Sequence, residues 1–392
     1  MSATTTSKTV SLPTAGGGSR TVSLTEPAPL ETSTVPIQSR AVYAAAHLVA
    51  DPLRSSALSR TTIDWEATLQ VRRQLWKLGL GVAESMDTAQ RSMGLDAESA
   101  LRLARLTLAE ARAEGGAVVV GIATDRLGEG PHTLEQIRDA YIEQLTEVEE
   151  AGGSAVVMAS RELARTARSP GDYHAVYAAI LDSAAKPVVL HWLGEAFDAA
   201  LAGYWGGGSR AEAAETVLAL IHEHLANVAG IKVSLLDEQL EVELRRRLPD
   251  GVRLFTGDDH HYVDLIAGDE HGHSDALLGA FAAVPRFASA ALARLDQKDS
   301  AGFRRLLTPT VPLSRLIFEA PTQYYKVGVT WLSYLTGTQD HLRMVAGLES
   351  GRSVLHLAEL FETANNIGLF PDPDLAAHRA STYFQAHGVD AR

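Results

Sequence analysis

Cysteine is absent from the 392 residues, which excludes disulfides, thiolate metal ligands and cysteine nucleophiles. No apolar run approaches the roughly 18 residues that a membrane span requires. Basic clusters are missing too, and the net charge is −13. Without grouped Lys and Arg there is little to hold nucleic-acid phosphates or an anionic bilayer, so neither partner is expected. The N-terminus lacks the continuous apolar stretch of a secretory signal, and a cytoplasmic protein is expected. No GxGxxG or Walker loop follows any apolar run. Lysine itself is scarce, with six among 35 cationic side chains.

What is present reads as a folded α/β protein, 46% hydrophobic and 21% charged. Residues 1–38 are rich in Thr, Ser, Gly and Pro. Their few large apolar side chains predict a disordered, flexible tail that cannot offset its ordering entropy. From Arg40 onward short apolar runs alternate with helical stretches. The runs are 41–49, 81–85, 117–123, 155–159, 187–193, 228–235, 252–256 and the neighbourhood of 272–278. Asp64 is placed to cap a helix that stops at Gly79, and Thr133 with Gln136 forms a capping box, as does Ser209 with Glu212. Eight strands joined by helical crossovers predict a (β/α)8 TIM barrel over residues 39–282. Residues 283–392 lack a good strand and predict a C-terminal helical extension.

Catalytic side chains of such barrels stand at the C-terminal strand ends. Lys232 lies in Val228-Ala-Gly-Ile-Lys-Val-Ser-Leu-Leu236, where alternation puts it with Ser234 on one face and Ile231, Val233 and Leu235 on the other. With the bulky face against the helices, Lys232 points inward. A poorly hydrated amine there is either a nucleophile or the partner of an interior carboxylate, Glu84 or Asp258 for example. His191 ends another strand and can act as an acid or base, or serve as a satisfied interior histidine. The Asp and His residues at 258–275 contain enough N and O ligands for zinc or manganese, although their spacing is loose. Trp205-Gly-Gly-Gly208 is either a phosphate-approaching loop or a plain loop before a capped helix.

Taken together, these motifs resemble the dihydrodipicolinate synthase / N-acetylneuraminate lyase family of class I aldolases. More closely, the chain is similar to a divergent branch of it catalogued mainly as a domain of unknown function. Gly230-Ile-Lys232 matches the G-[IV]-K strand whose lysine forms a Schiff base. Thr256-Gly-Asp-Asp259 is like the S-G-D-[DE] turn, Pro187-Val-Val-Leu-His-Trp192 is like P-[IV]-[IV]-L-Y-N, and Pro321-Thr-Gln-Tyr-Tyr-Lys-Val327 resembles a segment of the helical extension. Where the family holds a carboxylate with T-T-G-E, this chain has Asp87, Thr88, Ala89 and Gln90; its relay tyrosine is His191 here.

The resemblance implies a lyase or aldolase with Lys232 forming the imine and His191 moving the proton. Asp87, Thr88, Trp192, Ser234, Gly257, Asp258 and His260 would line the substrate. Because Asp87 disfavours a neighbouring carboxylate, a sugar-derived keto compound is the expected small-molecule partner. Neither metal nor cofactor is required, and a homo-oligomer is implied. Two alternatives stand beside this reading. One is a metal-dependent sugar isomerase, epimerase or hydrolase using the 258–275 cluster; the other is a non-catalytic carbohydrate-binding barrel.

Overall fold

The computed structural model describes residues 9–389 apart from Arg60 and Glu129. Two antiparallel strands, β1 (Thr9–Pro13) and β2 (Ser19–Ser23), open the chain. Eight parallel strands follow: β3 (Val42–Ala45), β4 (Gly81–Glu84), β5 (Val118–Ile122), β6 (Ala155–Val157), β7 (Val188–Leu193), β8 (Val228–Ser234), β9 (Arg253–Thr256) and β10 (Asp275–Leu278). They form a closed barrel in chain order, with β10 returning to pair with β3 through Ala276↔Val42. The expected (β/α)8 barrel and its C-terminal helices are therefore present. No helix of the described residues is long and apolar enough to cross a membrane.

Strand alternation divides the core. Ala45, Ala83, Val119, Val156, Val189, Phe255 and Leu277 fill the barrel interior. Their neighbours Val120, Val157, Leu190, Ile231 and Leu254 pack outward against the helices. The same parity turns Glu84 outward. It is fully buried against the helix Trp65–Lys77 and bound at 2.9 Å by both Nε and Nη2 of Arg72. Glu84 is thus not the interior carboxylate that Lys232 might have paired with.

The capping signals act as local physics dictates. The Asp64 carboxylate accepts from the Ala67 N–H, and Thr133 with Gln136 closes a reciprocal box. Ser209 accepts from the Glu212 N–H, but the Glu212 carboxylate reaches the Gly208 N–H instead of Ser209. That contact occupies the Gly208 amide of the Trp205–Gly208 loop with the chain's own carboxylate. Trp205 itself is buried among Tyr173, Tyr177 and Tyr204, which anchors the loop, while Gly207 and Gly208 are exposed.

The N-terminal segment corrects an expectation. Residues 1–8 of the expected tail lie outside the described residues, but residues 9–38 are a strap laid across the molecule. Val10 and Leu12 are buried in one cluster with Trp331, Phe361 and Phe384 of the C-terminal helices. Asn365 accepts from the Thr25 N–H at 3.0 Å and donates to the Ser23 carbonyl at 3.0 Å. Further along, the Ser33 N–H donates to Ser289 Oγ at 2.9 Å, and that of Gln38 to Asp296. A Cβ on Gly79 would fall 2.2 Å from the Val35 carbonyl oxygen, so only glycine admits the strap there. Composition missed this because two alternating apolar side chains suffice when the rest of their pocket is supplied from distant parts of the chain.

Tyr325 and Trp331 of the extension, like Phe361 and Phe384, are buried within this one chain; the Trp331 indole donates to the Leu357 carbonyl at 3.0 Å.

Candidate active site

Lys232 is buried on the inward face of β8, in register with His191 of β7 and Phe255 of β9. Among the described residues no carboxylate lies within ion-pair distance of its amine. Burial pushes the amine below its usual range, and the charges of Asp87 and Asp259 pull it back up. Asp259 feels the converse. Burial raises its carboxyl to about 7, against the Ala280 N–H that it accepts at 2.9 Å and the nearby Lys232.

His191 is fully buried. Its Nε2 lies 3.1 Å from Ser234 Oγ, and among the described residues its Nδ1 has no partner. Burial, then the positive charge of Lys232, holds the imidazole well below its usual range, so the ring is neutral near pH 7. A neutral imidazole carries one lone pair that can take up a proton, and the lowered affinity makes it a weak base that returns the proton readily.

Gly257 is shaped by this packing. A Cβ there would sit 2.1 Å from Ser234 Oγ and 2.8 Å from Lys232 Cε. The absent side chain leaves room for the lysine stem.

On the opposite wall, Thr88 Oγ1 and Tyr325 Oη share a hydrogen bond of 2.7 Å. Asp87 and Tyr325 also line a cavity of about 190 Å3 at the barrel mouth, together with Arg91, Thr124, Ser160, Arg161 and Lys326. That is smaller than the roughly 300–1,000 Å3 of pockets for drug-sized ligands, and it suits a small polar compound. Lys232 is not itself part of this wall; Asp87 links the two by its charge on the amine.

The remaining expected residues lie elsewhere. Trp192 points outward, one residue out of phase with His191, and packs in the helical layer. Asp258 is consumed by its own turn. Its Oδ1 accepts from the His260 and His261 N–H groups at 2.8 and 3.0 Å, and its Oδ2 lies 2.9 Å from His261 Nδ1. Asp259, the next residue, is the carboxylate of this turn whose charge acts on the lysine. His260 is half-buried, its Nε2 has no partner among the described residues, and it does not line the cavity. The 258–275 stretch is not one cluster. Asp258 follows the C-terminal end of β9, whereas Asp275 begins β10 at the other end of the barrel, where it accepts from Arg253 Nη1 at 2.7 Å. Among the described residues no three His, Asp or Glu side chains converge as a metal site would need.

Sequence reasoning missed Asp259, Tyr325 and Lys326. The first was written in Thr256-Gly-Asp-Asp259 beside its neighbour. The other two lie in an extension segment that only tertiary folding brings to the barrel mouth.

Beneath the β9 turn, buried Glu241 accepts from Thr256 Oγ1 at 3.0 Å and Ser274 Oγ at 2.8 Å. Burial raises its carboxyl from 4.5 to about 8. Between those values the folded state binds more protons than the unfolded chain, so this group makes stability fall as pH rises. Glu241→Gln removes the titration. Its melting temperature relative to wild type should climb between pH 5 and pH 8, and a constant difference would show that Glu241 is ionised in the fold.

An inward lysine in register with a histidine and under the charge of two carboxylates, at the C-terminal half of an eight-stranded parallel barrel, defines a (β/α)8 protein with a buried-amine site. The chain belongs to the family described as protein of unknown function (DUF993), whose sequence model matches residues 10–389. Solved structures share the barrel. Dihydrodipicolinate synthase from Aquifex aeolicus is 14% identical with a TM-score of 0.65, over 85% of this chain and 100% of that one. YagE, a prophage protein of the dihydrodipicolinic acid synthase family from E. coli K12 in complex with pyruvate, is 15% identical with a TM-score of 0.67, over 84% and 99%. The Oceanobacillus iheyensis dihydrodipicolinate synthase is 16% identical with a TM-score of 0.63, over 84% and 97%. At these identities the likeness establishes the fold. No curated protein sequence matches the chain.

Proposed function

We propose that the protein is a class I lyase or aldolase that forms a Schiff base between Lys232 and a sugar-derived keto compound. The observation that carries this reading is the buried, inward Lys232 with no direct ion pair and a lowered proton affinity. A lysine kept only as a charge partner would be expected to touch its carboxylate. Here Glu84 is taken by Arg72 and Asp258 by its turn.

In this reading the neutral amine attacks the carbonyl carbon. The carbinolamine then loses water with a proton from Asp259, whose carboxyl titrates near neutrality. The resulting iminium withdraws electrons from the adjacent carbon, so a bond there can break or form while His191 takes or returns the proton. Hydrolysis of the imine releases product and regenerates the amine. Asp87, Thr88 and Ser234 offer hydroxyl partners to the substrate.

Borohydride added with dihydroxyacetone tests the step directly. Reduction of the imine should leave one covalent adduct on wild-type protein, mapped to Lys232 by peptide mass. No adduct with any keto compound would remove the reading. The same assay probes Gly257→Ala, whose Cβ must push Lys232 Cε aside. Displacing a reacting group by about 1 Å can cost on the order of 100-fold, and trapping should slow by about that factor. Trapping at the wild-type rate would show that the close approach is not needed.

A further inference from the structure

The cavity at the barrel mouth is lined by several charged side chains, and most of them neutralise one another. Arg91 pairs with Asp125, Arg161 with Asp198 and Glu162 with Arg165. Among the described residues, Asp87 and Lys326 are the two in that wall without an ion-pair partner.

Lys326 is the more exceptional. It is 2% exposed, and among the described residues its ammonium donates only to the Met93 thioether, at 3.3 Å. It also lies 5.0 Å from the centre of the Tyr325 ring. A thioether is a weak acceptor, and a ring face replaces little of the lost hydration. Removing an ammonium from water without an anion or strong acceptors is costly. The proposed chemistry does not use Lys326. Yet it borders the same cavity as Asp87 and adjoins Tyr325, which is hydrogen-bonded to Thr88. Its position in the first turn of the helix Tyr325–Leu335 adds the positive end of that dipole.

We infer that Lys326 is an anion-binding pole of the candidate active site, recognising a carboxylate or phosphate carried by the substrate at a distance from its reacting carbonyl. This rests on the Schiff-base reading. Asp87 supplies the reason for the distance. Its charge acts on both Lys232 and Lys326, so an anion directly beside the carbonyl would meet a carboxylate. An anion at the far end of the substrate would meet the ammonium. Burial lowers the Lys326 amine only to about 8, which leaves most of it charged at pH 7. The substrate class is then an acidic or phosphorylated keto-sugar or keto-polyol, with a hydroxyl rather than a carboxylate next to the carbonyl.

The test compares borohydride trapping of dihydroxyacetone, dihydroxyacetone phosphate, levulinate and pyruvate by wild type and Lys326→Met. The ratio of remote-anion to neutral trapping should fall at least tenfold in the variant. Loss confined to dihydroxyacetone phosphate identifies phosphate, and loss confined to levulinate identifies carboxylate. An unchanged ratio overturns the inference. Should Lys326→Met fail to fold, the wild type decides: inorganic phosphate or acetate must slow trapping of the matching ketone competitively, and failure to compete overturns it. If wild type traps none of the four, the Schiff-base reading fails on its own account. Calorimetry with inorganic phosphate and acetate then judges the pole: binding that is weakened at least tenfold in Lys326→Met, or in Lys326→Gln where the first does not fold, supports it. Absent or unaltered binding rejects it.

Discussion

Lys232→Arg is expected to abolish both the borohydride-trapped adduct and any turnover, by about 10,000-fold or more, while the barrel still folds. A guanidinium stays protonated and cannot form an imine, yet it keeps the positive charge that Asp87 and Asp259 face. The larger head group overpacks the interior and should cost about 1–3 kcal/mol, which calorimetry would register as a modest fall in melting temperature. In wild type, the trapping rate should rise with pH and level off below 10.5, because burial holds the amine below that ordinary value. An arginine variant that still turns over substrate would make Lys232 a charge partner and remove the lyase reading.

Removal of residues 1–38 should be strongly destabilising, and Leu12→Ala alone should reproduce part of the effect. Leu12 is fully buried and Val10 nearly so, both against the C-terminal helices. Truncating a buried leucine to alanine costs about 2–5 kcal/mol. For a chain of this size that corresponds to a fall of roughly 2–6 °C in melting temperature. The full deletion also strips the Asn365, Ser289 and Asp296 contacts and uncovers Trp331, Phe361 and Phe384. Aggregation or a still larger fall is expected, read by scanning calorimetry and light scattering. A deletion variant melting with wild type would show that the strap is a passenger.

Both predictions depend on information of different reach. The inward orientation of Lys232 was legible because it needs only the alternation of one strand. Ile231, Val233 and Leu235 must turn toward the helices, so Lys232 and Ser234 turn the other way. The capping of Asp64 and Thr133 was legible for the same reason, since each involves side chain and backbone within three residues. The strap left a local trace as well: Val10 and Leu12 alternate in Thr9–Pro13, before a Gly-rich turn and a second strand, which is the pattern of a hairpin. Composition across the whole segment obscured it.

By itself, then, the sequence determined the eight strands, their closure into a barrel, the helical extension and the burial of one lysine among few. All of these follow from periodicity and from the requirement that apolar faces be covered. Tertiary structure alone decided which groups meet that lysine. The charge of Asp259 acts on it, whereas the turn after β9 consumes the Asp258 carboxylate in its own hydrogen bonds. Trp192 is lost to the helical layer by a one-residue change of face. Tyr325 and Lys326 reach the barrel mouth from about 90 residues further along the chain, once the extension packs against the barrel. Such contacts depend on the relative placement of whole elements, and placement is fixed by the summed packing of the core, which no short window of sequence contains.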